Sequence, residues 1–278
     1  MNKETTPRLS QRTGTLAVSL LIGMALITPP APAQVLDGFI KQIATLDSIH
    51  VEAHVVLRLT QSGVTRGGNG SFSYWEQGDW YRIGASTSKP LGLLSNFDYS
   101  FDGEHSRMWF RDSNTVTENT SNDESAPTPF QNPFFLAVGF LIGEDCQGCR
   151  MSLDRALQSR VNLSETVDAP DTLTIENSQF GRRFSIVHTN VEGMEVPASI
   201  EWLDEEFDAD VSIELADWER TNGLLWPMSI SMKSVGRSSD LSTTVQYLIN
   251  TLEVNEEYPK AVFVLGDEES TYIEPVEP

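Results

Sequence analysis

The sequence predicts an α+β fold, mainly antiparallel β. It consists of a single strongly curved sheet, an incomplete barrel, with a helical lid and an N-terminal helix. Three observations predict it. About ten short segments alternate apolar and polar residues, with turn signals roughly every ten residues. No helical crossover of the kind parallel strands require falls between them. Finally, Thr128–Ile142 (TPFQNPFFLAVGFLI) ends in Phe134–Ile142, a run with no charged or polar side chain. A water-soluble chain must cover such a run, and laying it across the mouth of a bent sheet does so.

The chain opens with a leader. Lys3, Arg8 and Arg12 form a positive segment, Leu16–Ile27 is apolar, and Ala31-Pro32-Ala33 supplies the small-x-small cleavage pattern. Residues 1–33 therefore read as a cleaved signal peptide, since an apolar run of this length falls short of the ~20 residues a membrane span needs. Export into the periplasm, across the inner membrane, and solubility after cleavage are expected. The leader carries net +2 (Lys3, Arg8 and Arg12 against Glu4), so its loss takes the chain from −21 to −23. That charge argues against nucleic acid as a partner and against docking on anionic lipid through a basic patch.

In Val35–Leu46, Leu36, Phe39, Ile40, Ile43 and Leu46 recur at helical spacing, which predicts an amphipathic helix packed on the sheet. Val51, Ala53, Val55, Leu57 and Leu59 then alternate with His50, Glu52, His54, Val56 and Arg58, the pattern of a long half-buried strand. Gly63 to Gly70 reads as a glycine-rich turn before a hairpin of Ser71–Glu76 and Trp80–Gly84. Phe97–Phe101 and Ser106–Arg111 flank Asp102-Gly103, a type I′ hairpin signal, and Asn114–Asn119 extends the sheet. Pro133 suits a first helical turn ahead of the helix expected over Phe134–Ile142. A second helix is expected over Ser152–Arg160.

Strand rhythm returns after Pro170, over Asp171–Glu176, Arg183–Thr189, Pro197–Leu203, Val211–Glu219, Trp226–Val235 and Thr243–Val254, with Val262–Leu265 as a last short piece. Asn222-Gly223 is a second strong turn signal. Residues 34–265 make one domain, and the acidic, proline-containing Gly266–Pro278 reads as a flexible tail.

The mature chain has two cysteines, Cys146 and Cys149, in Cys-Gln-Gly-Cys. In an oxidising compartment they can close a small disulfide loop. A redox dithiol needs a low thiol pKa, which Glu144 and Asp145 work against. Two thiolates alone are half a zinc site. His50-x-Glu52-x-His54 sets three side chains on one strand face, but the histidines stand ~13 Å apart at strand spacing, too far to share one ion. The acidic cluster from Glu201 to Asp210 lacks the glycine and terminal glutamate of a calcium loop. There is no Gly-x-Ser-x-Gly, and no carboxylate pair stands out, so no catalytic residue, metal ligand or cofactor site is assigned.

Aromatic residues are what remain. Trp75, Tyr81, Phe97, Tyr99, Phe101, Met108, Phe110 and Trp226 form the expected wall of an apolar interior, and Phe134, Phe135 and Phe140 its lid. The same pattern also fits a closed, filled core.

Several motifs carry a resemblance: Phe39–Leu59, the run Gly70-Ser-Phe-Ser-Tyr-Trp75, Asp102-Gly103 leading to Met108-Trp109-Phe110, and Thr128-Pro129-Phe130. Asn222-Gly223 through Trp226-Pro227, Glu253-Val254-Asn255 and Ala261-Val262-Phe263 add to it. Together they resemble the LolA-like family of periplasmic lipoprotein-localisation carriers, including exported members of unassigned role. The resemblance implies an incomplete antiparallel barrel with a helical lid over an apolar cavity and a lipid or acylated protein as ligand; with no catalytic constellation in the chain, no enzymatic activity is expected. Such carriers have a basic residue just after the second strand, and the matching place here is Glu76-Gln77, with no positive charge. A sensor or protein-interaction module with an envelope partner on the same concave face is the alternative.

Overall fold

In the long strand β1 (Ser48–Gln61), Val51, Ala53, Val55 and Leu57 are buried, while His54 and Arg58 between them are exposed. This is the period-two segregation that the alternation predicts. The computed structural model describes residues 35–43, 45–78, 80–87, 96–102, 105–119, 163–177, 182–205, 207–265 and 271–272. The leader, the Phe134–Ile142 lid segment, Phe134, Phe135, Phe140, both cysteines and Ser152–Arg160 lie outside the described residues.

The first arm continues through β2 (Val64–Gln77), β3 (Trp80–Thr87), β4 (Phe97–Phe101), β5 (Ser106–Phe110) and β6 (Thr115–Asn119). The second arm comprises β7 (Leu163–Ala169), β8 (Thr172–Asn177), β9 (Arg182–Val191), β10 (Met194–Asp204), β11 (Ala209–Thr221), β12 (Leu224–Gly236) and β13 (Ser242–Val254). β1 and β13 join the two arms, and the order is β14-β6-β5-β4-β3-β2-β1-β13-β12-β11-β10-β9-β8-β7, where β14 is Thr271–Tyr272. Among the described residues all pairings are antiparallel except β14 with β6. The sheet is open, with β14 and β7 as its edges.

Several boundaries differ from the sequence reading. The glycine stretch is strand, not turn: β2 runs from Val64, and the hairpin closes on Ser62-Gly63, both at positive φ. Gly67 has a packing reason to be glycine, because a Cβ there would stand 3.3 Å from the Leu57 carbonyl oxygen. The hairpin after β4 is not a two-residue turn, since Phe101 pairs with Ser106. The Asp102 carboxylate closes the loop by accepting the His105 N–H at 2.7 Å. Asn222-Gly223 does form the predicted two-residue turn, with φ of 47° and 91°. Val262–Leu265 is not a strand: Lys260–Phe263 is a 3-10 turn. β7 was not anticipated, and the expected tail contributes β14.

Helix α1 spans Asp37–Ile43, shorter than the predicted Val35–Leu46. A seven-residue helix is marginal alone, so its stability comes from contacts. Phe39, Ile40 and Ile43 are buried. The Phe39 ring meets Trp218 edge-on at 5.7 Å and stacks on Trp226 at 6.3 Å. Gln42 fixes the helix to β12 through two hydrogen bonds: its Nε2 donates to the Leu225 carbonyl and its Oε1 accepts the Leu225 N–H, both at 2.9 Å. Core residues of α1 and of both arms belong to one hydrophobic cluster.

Candidate functional site

Strand pairing brings most of the predicted wall together. Across β3 and β4, Tyr81 faces Phe101, Ile83 faces Tyr99 and Ala85 faces Phe97. Across β4 and β5, Tyr99 faces Met108 and Phe97 faces Phe110. These side chains share one sheet face, here termed the core face. Tyr81 stacks on Tyr99 at 5.6 Å and lies 5.5 Å from Phe101, and its hydroxyl donates to that of Tyr99 at 3.4 Å. Such ring pairs add to the free energy of burial through their quadrupoles. Phe97 and Tyr99 are almost fully buried, whereas Phe101 and Phe110 at the margins are half-buried.

Two predicted wall residues are elsewhere. Trp75 follows Tyr74 in β2, so it projects to the opposite, outer face, since successive strand residues point to opposite sides. There it stacks on His50 at 4.5 Å. Trp226 is fully buried, but it lies under α1, five strands from β4 in the sheet order. Trp226 still belongs to the one hydrophobic cluster that includes Tyr81, Phe97, Tyr99 and Met108, whereas Trp75, on the outer face, does not.

Glu76 occupies the position that is basic in the carriers named above. It is on the core face, 6% exposed, and accepts the Tyr74 hydroxyl at 2.5 Å. Gln77 serves the other side, where its Oε1 accepts the Tyr258 N–H at 2.7 Å.

The outer face of β1–β5 carries its own polar and aromatic set. His50 sits on Trp75, with Nδ1 2.9 Å from Glu253 Oε2, and is buried rather than solvated. His54 and Arg58 on the same face are exposed. Arg82 and Arg111 converge on the buried Asp98. Among the described residues no group of three or more His, Cys, Asp or Glu is placed to hold a metal ion.

Sequence reading missed a second histidine–carboxylate pair. His188 Nδ1 lies 2.8 Å from Glu195 Oε2, and Asn190 Nδ2 donates to Glu195 Oε1 at 2.9 Å. These bonds, from Asn190 first and then His188, hold the Glu195 carboxyl below its usual range. The signal was Glu192-Gly193: both residues are at positive φ, and this two-residue turn sets Asn190 opposite Glu195. A depression of about 510 Å³ lies over β9–β12, bordered by Arg183, Glu201, Leu203, Asp210, Lys233 and Val235. None of the predicted wall residues borders it. Among the described residues no helix is long and apolar enough to cross a membrane.

No protein-family model and no curated protein matches the sequence. Solved structures do resemble it. A DUF1329 family protein from Desulfovibrio piger is 11% identical with a TM-score of 0.47, over 81% of this chain and 92% of that one. A LolA superfamily protein from Nitrosomonas europaea is 10% identical with a TM-score of 0.46, over 83% of this chain and 98% of that one. At these scores neither likeness transfers a ligand or a partner. The chain is thus similar to a protein of the LolA superfamily and to one of the DUF1329 family.

Proposed function

We propose that the protein is exported to the periplasm and, without catalysing a reaction, binds an apolar ligand on the core face of β3–β5. The ligand class is a lipid, an acyl chain or an acylated protein. The observation that supports this reading is the continuous band of Tyr81, Phe97, Tyr99, Phe101, Met108 and Phe110 on one arm of an open sheet. Within the band the half-buried Phe101 and Phe110 are the residues with area left to bury on a ligand, at ~25 cal/mol per Å² of apolar surface buried. Its half-buried margin, Phe101 and Phe110, is where a chain would enter. In this proposal Pro133–Ile142 closes over the ligand, and Cys146 and Cys149 clip the segment that follows.

A second reading, an interaction module for an envelope protein, draws on the near-complete burial of Tyr81, Phe97, Tyr99 and Met108. A face this well covered takes a protein segment at its margin more readily than a whole acyl chain.

Native mass spectrometry with organic extraction separates the two. Co-purifying acyl species lost in Phe101→Asp, with cooperative unfolding retained, support carriage. An empty wild-type protein that captures an envelope protein through the same margin supports the module and sinks carriage.

A further inference from the structure

After β13 the chain turns back over the outer face, and residues 255–265 cross β1, β2, β3 and β5. The crossing is anchored strand by strand. The Asn255 N–H donates to the Ser48 carbonyl at 3.0 Å, and Ser48 Oγ donates to the Glu256 carbonyl at 2.5 Å. The Tyr258 N–H reaches Gln77, Arg82 Nη1 donates to the Val262 carbonyl at 3.0 Å, and Arg107 Nη1 donates to that of Leu265 at 3.3 Å. Phe263 is buried edge-on against Trp80 at 5.8 Å, and Lys260 Nζ lies 4.4 Å above that ring.

His50 sits in the middle of this contact. Its ring is stacked on Trp75, with Tyr258 of the crossing segment edge-on at 6.1 Å. Nδ1 is hydrogen-bonded to Glu253, whose carboxylate also receives the Tyr258 hydroxyl at 3.4 Å. Nε2 is buried without a hydrogen-bond partner, and 3.5 Å away stands a second carboxylate oxygen, Glu52 Oε1. A neutral imidazole has one N–H, and Glu253 takes it, so Nε2 and Glu52 are then two acceptors facing each other. An imidazolium turns both contacts attractive and places a cation on the Trp75 face. The groups around the ring are thus Glu52 on its own strand, Trp75 on β2, Glu253 on β13 and Tyr258 on the crossing segment. Arg82 of β3 lies 5.8 Å from the Trp75 centroid and is engaged by Asp98.

We propose that residues 255–265 are a pH-sensitive strap. A second proton on His50 tightens the strap through Glu253 and Tyr258, and loss of that proton loosens it and uncovers Trp75 and Trp80. The buried Phe263 gives the docked state a part that is independent of pH, so pH tunes the strap and does not detach it outright.

The test is hydrogen exchange of the full chain, reading amides 255–265 between pH 5.5 and 8 with intrinsic rates divided out. Histidine is the side chain type whose free form changes charge in this range. Protection in the wild type is expected to fall about tenfold across it, the size of one charge-assisted hydrogen bond. His50→Gln should flatten the profile, and His188→Gln should leave it as in the wild type. Glu52→Gln keeps His50, Trp75 and Glu253 in place and should reduce the slope, which keeps the test decisive if His50→Gln does not fold. A flat wild-type profile, or a slope unchanged in Glu52→Gln, overturns the proposal.

Discussion

Arg82 Nη2 meets Asp98 Oδ1 at 3.2 Å across β3 and β4, and the Asp98 side chain is only 2% exposed. Arg111 takes the other carboxylate oxygen. The same Arg82 holds the Val262 carbonyl, so one guanidinium links two strands of the sheet to the segment that crosses them. Asp98→Ala should destabilise the protein by about 2 kcal/mol, below the full cost of breaking a buried pair because both arginines can reach water. Urea unfolding measures it; an unchanged midpoint means the clamp contributes nothing.

Gly84 lies beside this clamp on the facing strand. A Cβ there would come within 3.1 Å of Asp98 Oδ1 and 2.6 Å of Ser73 Oγ. Ser73 can rotate away, but Asp98 is held by its two arginines. Gly84→Ala should therefore cost about 1–3 kcal/mol, as an overpacked site does. If Asp98→Ala is made first, that cost should shrink, and a double-mutant cycle reads the coupling.

Gln42 ties α1 to β12 through both backbone groups of Leu225. Gln42→Ala leaves that partly buried N–H and carbonyl without their partner, at about 1–3 kcal/mol. The Phe39 contacts with Trp218 and Trp226 persist, so tryptophan fluorescence of the folded state should stay close to wild type while the thermal midpoint falls.

The Tyr258 phenol is pushed up to about 12, chiefly by burial and then by the charge of Glu253. Its pKa in the unfolded chain is near the ordinary value, about 10. A folded pKa above the unfolded one means the neutral phenol is favoured in the native state. The associated stability is complete below about pH 10 and is lost as pH climbs towards 12. Phenolate absorbance near 295 nm should lose one late-titrating tyrosine in Tyr258→Phe, while the buried Tyr247, also raised by burial, remains.

Gly223, at φ 91°, is the second residue of the turn joining β11 and β12. Gly223→Ala forces a side chain into the left-handed region and should cost about 1 kcal/mol. Proteolysis should then show earlier cleavage near residue 223.

Much of the sheet was legible because alternation is a local property. Val51 to Leu57 announced β1, and Asn222-Gly223 announced the β11–β12 hairpin, from neighbours a few residues apart. The glycines after Gly63 misled for the opposite reason. Gly67 is needed where β2 passes close to the Leu57 carbonyl, and nothing next to it in sequence says so. The aromatic band was legible strand by strand, as Phe97, Tyr99 and Phe101 share a face by their spacing. Trp75 was misassigned because aromatic character marks a covered side chain without saying which face covers it.

That last point separates what the chain states from what the fold decides. By itself the sequence determined that the protein is built of antiparallel strands, where most of them run, and which residues lie back to back on each strand. Only the tertiary structure decided that β1–β5 are covered on both sides at one end: the core face by the apolar cluster, and the outer face around His50, Trp80 and Arg82 by residues 255–265, while His54 and Arg58 stay exposed. A period of two divides a strand into two sets but is symmetric between them. Covering is settled by partners far along the chain, such as Glu253 on His50 and Val262 on Arg82, whose positions follow from pairing of the whole sheet.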